Sequence, residues 1–449
     1  MLAITDKNSI GIYTMPRIFK LSFDYFSDRC AFYLAVLLLM CSQYVLAADL
    51  PDTRPDRVGV SADRLARMDA FLQEEINAGN KAGITVLLAR NDRVFYMKSF
   101  GHANLETGQT LANDAFFRLY SMTKPVTSVA LLTLFEQGKF LLDDPLDKYI
   151  PAFADLQVYA GTDANGEMLL EAPIRKPTIR DVFRHTGGFS YGNGGTPVDE
   201  AYQAVGIGYG SSDSLKQMVT EQLPGIPLLY QPGERWVYSV SHDIQAYLVE
   251  YFSGMPFDEY LQQTIFEPLG MDETFFGVPA EIVSRYTANY GSNEEGALIQ
   301  IEGQDGRRGF GDGGAYARYT DIPFGGSGLT ATISDYAKFA VMLTNGGELD
   351  GVRILGRKTV ELMHMNQLPQ GVTRGGGNAY GLGVQVLVDQ AEANTMGSLG
   401  QFGWAGAATT WVNMDPEENL TSILFTQYMP TDFELYNRWQ NLVYQSLVE

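Results

Sequence analysis

The chain has 449 residues, of which 45% are hydrophobic and 19% are charged, a composition typical of a folded globular protein with a large core. Its formal net charge of -21 makes a nucleic-acid backbone a poor partner, because like charges repel.

The N-terminal segment has the features of an export signal. Residues 29–51 read RCAFYLAVLLLMCSQYVLAADLP, an arginine followed by an apolar stretch that ends in the small-residue cleavage pattern Val45-Leu46-Ala47. We therefore expect residues 1–47 to be a signal peptide and the mature protein to be periplasmic or secreted. The alternative is an uncleaved membrane anchor, because the 18 residues from Ala31 to Ala48 are borderline for spanning a bilayer.

Both cysteines, Cys30 and Cys41, lie inside this segment. The chain after residue 47 therefore has no disulfide, no thiolate metal site and no cysteine nucleophile, which suits an oxidising compartment. No two histidines stand three or four residues apart as a metal-binding pair would. The sequence therefore predicts no metal and no cofactor. The four histidines are His102, His185, His242 and His364.

The elements after the leader begin with a helix and a hairpin. Apolar residues at helical spacing over residues 61–83 predict the helix. Two β-like runs around Asn91-Asp92 predict a hairpin over residues 84–104. The segment PVTSVALLTLFEQGKF then indicates a second helix from Pro125 that ends at Gly138.

The middle of the chain has a different character. Residues from about 150 to 320 are rich in Gly, Pro and Tyr and lack strong strand patterns. Helical patterns occur at residues 241–254 and 256–270. We therefore expect residues 151–320 to form a mostly helical inserted domain.

The C-terminal part alternates helices and strands again. A helical pattern covers residues 333–347, and strand patterns cover residues 378–389 and 403–429, the latter with a turn at DPEEN. The last segment, residues 432–449, reads as an amphipathic helix.

Helices and strands thus occupy both ends of the chain. This order favours an α+β fold in which N- and C-terminal strands complete one antiparallel sheet flanked by helices. Residues 48–150 and 321–449 would together form this α/β domain.

One short motif combines a nucleophile with a base. Ser121-Met122-Thr123-Lys124 is the only Ser-x-x-Lys in the chain, and residues three apart on a helix share a face. A lysine amine in its neutral form can take the proton of a serine and so activate it. The alternative is a chance occurrence of this spacing. A G-x-S-x-G nucleophile elbow is absent from the sequence, since GGSGL at residues 325–329 fails at its last position.

The surroundings of this motif point to a family. FRLYSMTKPVTSVALLTLFEQGKFLLDDPLDKYIP, residues 117–151, resembles the first active-site segment of the serine β-lactamase-like superfamily, which includes class C β-lactamases, D,D-peptidases and β-lactamase-fold esterases. Five further stretches agree in order, so that the resemblance covers roughly residues 58–445, and it implies a β-lactamase/transpeptidase-like fold. The stretches are TIRDVFRHTGGFSYG (178–192), QPGERWVYSVSHDIQAYLVEYFSG (231–254), FEPLGMDETFFG (266–277), GGSGLTATISDYAKFAVMLTNGG (325–347) and FGWAGAATTWVNMDP (402–416).

The resemblance implies roles for individual residues. Ser121 would be the acylated nucleophile, Lys124 its proton partner, and Tyr238 the tyrosine that relays protons. The backbone N–H groups of Ser121 and Ala407 would form the oxyanion hole. Val240 stands where the family motif Tyr-x-Asn has its Asn, a departure common among esterase-like members.

Tyr191 is a rival for Tyr238, because Tyr191-Gly192-Asn193 spells Tyr-x-Asn literally. Its surroundings, however, match a different segment of the family. We therefore expect Tyr191 to line the substrate pocket and His185 to brace the same loop.

The third motif of the family departs from the lactamase pattern. Lactamases and D,D-peptidases carry Lys-Thr/Ser-Gly, and this chain has Trp404-Ala405-Gly406. Trp404 offers an apolar surface in place of a cation that attracts a substrate carboxylate, although ordinary sheet packing is an alternative role. Gly406 would still let the strand backbone approach a ligand closely.

These features favour a serine hydrolase, in particular a carboxylesterase for small, uncharged or weakly charged esters. Transesterase and amide hydrolase variants are also compatible. A β-lactamase or D,D-peptidase is the first alternative, with its carboxylate contact at a residue such as Arg307, Arg308 or Arg374. A binding protein that keeps the fold without catalysis is the second. The expected partner is a small ester or amide, with membrane contact only through an uncleaved N-terminal anchor, and the sequence leaves the oligomeric state open.

Overall fold

The computed structural model describes Ala47 and residues 49–207, 213–277, 279–302 and 322–449. The predicted leader lies outside the described residues except for Ala47, whose backbone N–H donates to the carbonyl of Pro268 at 2.9 Å. Arg307 and Arg308 also lie outside them. No helix within these ranges combines the length and the apolar character needed to cross a membrane.

The helices occur where the apolar periodicity predicts them, with several short ones in between. A 3₁₀ turn, Tyr120–Met122, leads directly into α2, and π-helical turns at Met218–Gln222 and Gln262–Phe266 follow α5 and α7. In chain order the helices are α1 (Ala62–Asn77), α2 (Thr123–Glu136), α3 (Ile179–Phe183), α4 (Pro197–Ala204), α5 (Leu215–Gln217), α6 (Ser241–Ser253), α7 (Phe257–Leu261), α8 (Glu267–Leu269), α9 (Ile333–Thr344), α10 (Arg357–Met363) and α11 (Phe433–Tyr444).

The strands come from both halves of the chain. They are β1 (Gly83–Arg90), β2 (Arg93–Asn104), β3 (Gln109–Thr110), β4 (Phe116–Arg118), β5 (Val158–Thr162), β6 (Met168–Glu171), β7 (Thr274–Phe276), β8 (Asn289–Ser292), β9 (Leu298–Glu302), β10 (Leu329–Thr332), β11 (Glu348–Leu349), β12 (Val352–Arg353), β13 (Asn378–Tyr380), β14 (Gln385–Leu387), β15 (Phe402–Gly406), β16 (Thr410–Asp415) and β17 (Leu420–Thr426).

The main sheet has eight strands in the order β13-β14-β15-β16-β17-β1-β2-β3, and the neighbouring strands are antiparallel. Strand β1 pairs with β17, so the N-terminal and C-terminal strands meet in the middle of the sheet. The predicted α+β fold, an antiparallel sheet flanked by helices, is therefore confirmed. The hairpin predicted around Asn91-Asp92 is also present, and both residues have positive φ, 53° and 62°, as a two-residue hairpin turn requires.

Each face of this sheet packs against a hydrophobic core, and alternate side chains of the central strand β1 belong to the two cores. Ile84, Val86 and Leu88 of β1 belong to the cluster that holds α1 and α11. Leu87 and Ala89 belong to the larger cluster on the α9 side. Because successive strand side chains point to opposite faces, β1 serves both layers, and each buried aliphatic side chain contributes about 1.5–3 kcal/mol.

Helix α2 is the central helix of the larger core. Every residue from Thr123 to Leu134 is buried, as expected for a helix that is apolar on all sides. It packs against α6 and contacts β15 and the 3₁₀ turn Tyr120–Met122. Burial on all sides fixes the position of this helix, which carries Lys124 in its first turn and directly follows the 3₁₀ turn that contains Ser121.

The middle of the chain contains more strand than the sequence patterns indicate. Strands β5–β6 and β8–β9 are separate hairpins, and β7 joins β10 and β4 in a three-stranded sheet. Strand β6 reads Met-Leu-Leu-Glu, which shows no alternation of apolar and polar residues by which a strand could be recognised, and its residues are largely exposed. The described residues from Ala47 onwards form one compact unit, and the boundaries 151–320 of an inserted domain stay a prediction.

A second difference between the predicted and the observed strands lies next to helix α2. The strand predicted over residues 378–389 is interrupted, and its halves, β13 and β14, pair with each other as a hairpin. Gly383 lies in the turn with φ 88°, and a Cβ there would lie 1.9 Å from the hydroxyl of Ser128 on α2. The glycine therefore lets this hairpin approach α2 closely.

Candidate active site

Ser121 lies in the 3₁₀ turn that connects β4 to α2. The residue before it, Tyr120, has φ 46°, a left-handed conformation that is costly for a bulky side chain. The Tyr120 hydroxyl holds this conformation through contacts with Glu302 Oε2 at 3.3 Å and Asn289 Nδ2 at 3.1 Å. The serine is thereby presented at the N-terminal end of α2, where free N–H groups favour developing negative charge.

A buried ion pair supports the same turn. Arg118 Nε lies 2.9 Å from Glu302 Oε2, and neither side chain is exposed by more than 2%. Arg118 also donates to the carbonyl of Thr287 at 2.6 Å and to Gln427 Oε1 at 3.0 Å. Burial raises the pKa of Glu302, and the charge of Arg118 opposes that change. The network fixes β4, and therefore the strand that leads to Ser121.

Lys124 reaches Ser121 across one turn of helix. Its Nζ donates to Ser121 Oγ at 3.1 Å and to the carbonyl of Gly326 at 2.6 Å, and the residue is 1% exposed. The ammonium group also lies 4.6 Å from the ring centroid of Tyr238. The structure thus brings together the two groups that the Ser-x-x-Lys spacing predicts on one face.

The backbone acceptor of the lysine comes from residues 325–329, which belong to one of the stretches that resemble the family. Gly326 belongs to GGSGL, which fails as a nucleophile elbow but places its carbonyl on Lys124. A Cβ at Gly325 would lie 2.1 Å from the carbonyl oxygen of His242, so only glycine allows this loop to approach α6 so closely. Thr127 Oγ1 fixes the loop further by donating to the Gly325 carbonyl at 2.7 Å.

Asp243 binds the other backbone group of the same residue, Gly326. Its Oδ1 accepts the N–H of Gly326 at 2.8 Å, while the Gly326 carbonyl accepts from Lys124. Burial raises the pKa of Asp243 from 3.8 to about 6, and the charge of Lys124 works in the opposite direction. Asp243 therefore positions the backbone acceptor of the lysine, a role that sequence reasoning missed.

Substitution of Asp243 by asparagine is expected to change the pH dependence of stability. Because the pKa of Asp243 is raised by folding, the folded state loses stability as pH rises from about 4 to about 7, by roughly 3 kcal/mol. Asparagine can still accept from Gly326 but cannot ionise. Urea unfolding should therefore show Asp243→Asn gaining stability relative to the wild type across this interval. A difference in unfolding free energy between the variant and the wild type that is constant with pH would show that ionisation of Asp243 does not affect stability.

Tyr238 reaches Ser121 from a position 117 residues along the chain. Its hydroxyl donates to Ser121 Oγ at 2.7 Å. Trp404 Nε1 donates to the same phenol oxygen at 3.4 Å, and the Tyr238 and Trp404 rings are 5.6 Å apart. The ring of Tyr238 is also packed 4.9 Å from that of His185. The phenol is thus held on the serine by contacts on several sides.

Tyr191 borders the same site without taking this position. Its ring lies 5.3 Å from the ring of Tyr238 and 5.3 Å from Lys124 Nζ. Among the hydrogen bonds of the described residues, the phenol that contacts Ser121 is that of Tyr238. Tyr191 therefore lies beside the candidate site, and its position in the wall of the substrate pocket stays a prediction.

The third motif lies on β15 beside the nucleophile. Gly406 pairs with Thr410, and a Cβ at Gly406 would lie 2.4 Å from the carbonyl oxygen of Leu119, so the strand needs glycine there. Ala407 begins the turn into β16, and its carbonyl accepts from Thr431 Oγ1 at 3.1 Å. Strand β15 therefore lies against the segment before Ser121, and the oxyanion hole of Ser121 and Ala407 stays a prediction.

Two histidines are packed behind the phenol. The rings of His185 and His242 are 4.8 Å apart, both are fully buried, and burial lowers the pKa of each well below its ordinary value. His185 Nδ1 lies 3.1 Å from Ser239 Oγ. Neutral, buried rings of this kind brace the loop that carries Tyr238. Within the described ranges, no group of three or more His, Cys, Asp or Glu side chains could hold a metal ion.

Comparisons with known proteins match the chain over most of its length. The family model described as Beta-lactamase matches residues 68–445. Protein Rv1367c of Mycobacterium tuberculosis (strain ATCC 25618 / H37Rv) is 29% identical over 374 residues, which cover 80% of this chain and 89% of the relative. An Escherichia coli (strain K12) protein named "Putative D-alanyl-D-alanine carboxypeptidase" is 26% identical over 431 residues, which cover 89% and 90%.

A solved structure is similar in fold and sequence. EstCE1, described as a hydrolase with promiscuous acyltransferase activity, superposes with a TM-score of 0.72 at 26% identity. The match covers 85% of this chain and 99% of EstCE1.

Proposed function

Because the chain belongs to the beta-lactamase family, we propose that it is a serine hydrolase that works through a covalent acyl-Ser121 and that its substrates are small carboxylic esters. Proteins of this fold family act on ester or amide substrates. One observation carries the proposal: the hydroxyl of Ser121 is in direct contact with a phenol at 2.7 Å and an amine at 3.1 Å. A serine becomes a nucleophile when such groups can remove its proton.

In the acylation step, Ser121 Oγ attacks the ester carbonyl and the bond to the leaving alkoxide breaks. The serine proton passes to Lys124 or Tyr238, whichever is unprotonated, and the same pair returns a proton to the departing alcohol. Lys124 Nζ and the Tyr238 hydroxyl both contact Ser121 Oγ, at 3.1 Å and 2.7 Å, so either group can exchange a proton with the serine without moving.

Deacylation is the reverse of this sequence with water in place of the alcohol. Water loses a proton to the Lys124–Tyr238 pair and attacks the acyl carbon, and Ser121 takes the proton back as the acid is released. The N-terminal end of α2 and the adjacent edge of β15 supply the polar backbone against which the oxyanion would form.

The substitution of the third-motif lysine by Trp404 supports an ester substrate over a penicillin or a peptidoglycan stem. The similarity to EstCE1 agrees with this choice. A D,D-peptidase or β-lactamase is the second candidate, and the Escherichia coli relative supports it.

A two-substrate comparison on the purified protein separates these candidates. We expect turnover of a short-chain p-nitrophenyl ester and little or no turnover of a chromogenic cephalosporin, measured side by side by absorbance. Turnover of the cephalosporin alone would reverse the ranking in favour of a β-lactamase.

A further inference from the structure

A cavity of about 260 Å³ lies at one end of the main sheet. Strands β13 to β16, residues 392–395 and helix α11 form its walls. Gly403 of β15 borders the cavity, whereas the next residue, Trp404, donates to Tyr238 in the candidate active site. Because successive residues of a strand face opposite sides of a sheet, the cavity and Ser121 lie on opposite faces.

The cavity is lined by amide groups and carries little charge. Among the described residues that border it, none is Lys, Arg or His, and Glu392 provides the one carboxylate. An amide offers both donors and an acceptor, so these walls suit a neutral ligand whose groups also donate and accept. We call it the amide cavity after six of its residues, Asn378, Gln385, Gln401, Asn413, Asn437 and Gln440.

Three of these amides are buried and fixed at one end. Gln401, Asn413 and Gln440 are 7%, 3% and 5% exposed. The Tyr444 hydroxyl donates to Gln401 Oε1 at 2.7 Å and accepts from Asn413 Nδ2 at 3.2 Å. Gln440 Nε2 donates to the carbonyl of Met396 at 2.7 Å. These bonds hold the three side chains in place on β16, on α11 and next to β15.

The other end of each amide is free. Gln401 Nε2, Asn413 Oδ1 and Gln440 Oε1 have no hydrogen-bond partner among the described residues, and none of these atoms is fully enclosed. Each can therefore be reached from the cavity that its residue borders. Together they present one donor group and two acceptors, and polar groups of buried residues are costly unless a ligand or solvent binds them.

Aromatic rings border the same cavity. The rings of Trp411 and Tyr436 are 4.9 Å apart, and the ring of Phe433 lies 6.0 Å from that of Tyr436 in an edge-on arrangement. Phe433 is 65% exposed, which leaves a large apolar surface in water at the edge of the cavity. A ligand ring with C–H groups on its faces and hydroxyls on its edge would cover this surface and still reach the amides.

We propose that the amide cavity binds one ring of a neutral saccharide, so that the protein holds a carbohydrate at a site separate from Ser121. Sugar hydroxyls both donate and accept, as the three free amide ends require. The net charge of -21 opposes an anionic ligand. The volume is slightly below the roughly 300 Å³ at which pockets for drug-sized ligands begin, which leaves room for a single ring. The inference is independent of the proposed function, since no residue of the cavity takes part in the reaction.

Ligand-observed saturation-transfer NMR on the purified protein tests the inference. The probes are glucose, galactose, mannose, N-acetylglucosamine and the disaccharides maltose, cellobiose and lactose, with glucuronate as the anionic counterpart of glucose. At least one neutral sugar should receive saturation from the protein, and isothermal calorimetry then gives the Kd of the best one. Ser121→Ala should bind that sugar with the Kd of the wild type, because the serine lies on the other face of the sheet.

Two variants locate the bound sugar. Gln440→Met keeps the length of the side chain and removes its free acceptor, and it should raise the Kd by about 10-fold. Phe433→Ala removes an exposed ring, with little effect on the fold, and should raise the Kd by about 2- to 10-fold. Gln73→Met, the same change on the exposed face of α1, is the control and should leave the Kd unchanged. Thermal unfolding checks that each variant is folded, and Phe433→Ala decides alone if Gln440→Met is not.

Three results would overturn the inference. If no neutral sugar of the panel binds, the amide cavity holds only solvent. If a sugar binds but the folded variants bind it as the wild type does, the sugar lies elsewhere on the protein. If glucuronate binds more tightly than every neutral sugar, the site selects an anion. Each of these results leaves the proposal of ester hydrolysis by Ser121 unaffected.

Discussion

Replacement of Ser121 by alanine is expected to lower kcat/KM for ester hydrolysis by at least about 10⁴-fold, the effect seen when an attacking serine is removed. The loss follows because neither Lys124 nor Tyr238 can form the acyl intermediate in its place. Initial rates with a short-chain p-nitrophenyl ester measure the effect.

The fold should survive this change. Ser121 Oγ contacts side chains of the site, while the turn itself is held by Tyr120 and by the Arg118–Glu302 pair. Ser334→Ala removes the same atom from another helix N-terminus, where the residue is exposed, and should keep full activity. Circular dichroism and thermal unfolding should be close to wild type for both variants. Comparable activity in Ser121→Ala and Ser334→Ala would exclude Ser121 as the nucleophile.

Removal of either group that is hydrogen-bonded to Ser121, the Lys124 amine or the Tyr238 hydroxyl, should lower kcat by about 10²–10⁴-fold, the usual contribution of a general acid–base group. Tyr238→Phe is the more informative change, since it keeps the ring contacts with His185 and Trp404 and deletes only the oxygen. Lys124→Met removes the amine and keeps a side chain of similar length. Steady-state kinetics over a range of pH report both losses.

Tyr191→Phe is the matched control for Tyr238→Phe. Both tyrosines border Lys124, but the phenol placed on Ser121 is that of Tyr238. We therefore expect Tyr191→Phe to change kcat by no more than a few-fold. A larger loss from Tyr191→Phe than from Tyr238→Phe would mean that the proton relay has been assigned to the wrong tyrosine.

Local sequence patterns predict the helices, the hairpin turn and the contacts between residues that are close in the chain. The β1–β2 hairpin follows from two β-like runs around Asn91-Asp92, and helix α2 follows from an apolar run with Pro125 near its start and Gly138 just past its end. The contact between Ser121 and Lys124 follows in the same way, because three residues span one helical turn. Hairpin β5–β6 could not be recognised, because its two short strands, VYAGT and MLLE, show no alternation of apolar and polar residues.

The contact between Ser121 and Tyr238 is a different kind of result. The two residues are 117 positions apart, and no periodicity connects them. Only the resemblance to a family singled out Tyr238 from 25 tyrosines. The structure supplies what the sequence lacks, a helix α6 that packs on α2 and carries the preceding loop to the serine.

Asp243 and the surroundings of Arg374 show what could not be predicted from the sequence. An aspartate in the first turn of a predicted helix is readily explained as a partner of the helix dipole, so Asp243 carried no separate signal. Arg374 sits in the glycine-rich run GVTRGGGN, which has no periodicity to assign it a direction. Of its aromatic neighbours, Tyr380 follows closely in the chain, whereas Trp236 and Trp404 come from distant segments that only folding brings to Arg374.

Covalent labelling by a fluorophosphonate is the most direct test of an acyl-serine mechanism. Intact mass should rise by one phosphonyl group, peptide mapping should place that group on Ser121, and Ser121→Ala should stay unlabelled. A folded wild-type protein that takes up no phosphonyl group, or takes it up elsewhere, would contradict the mechanism and indicate a binding protein built on the same fold.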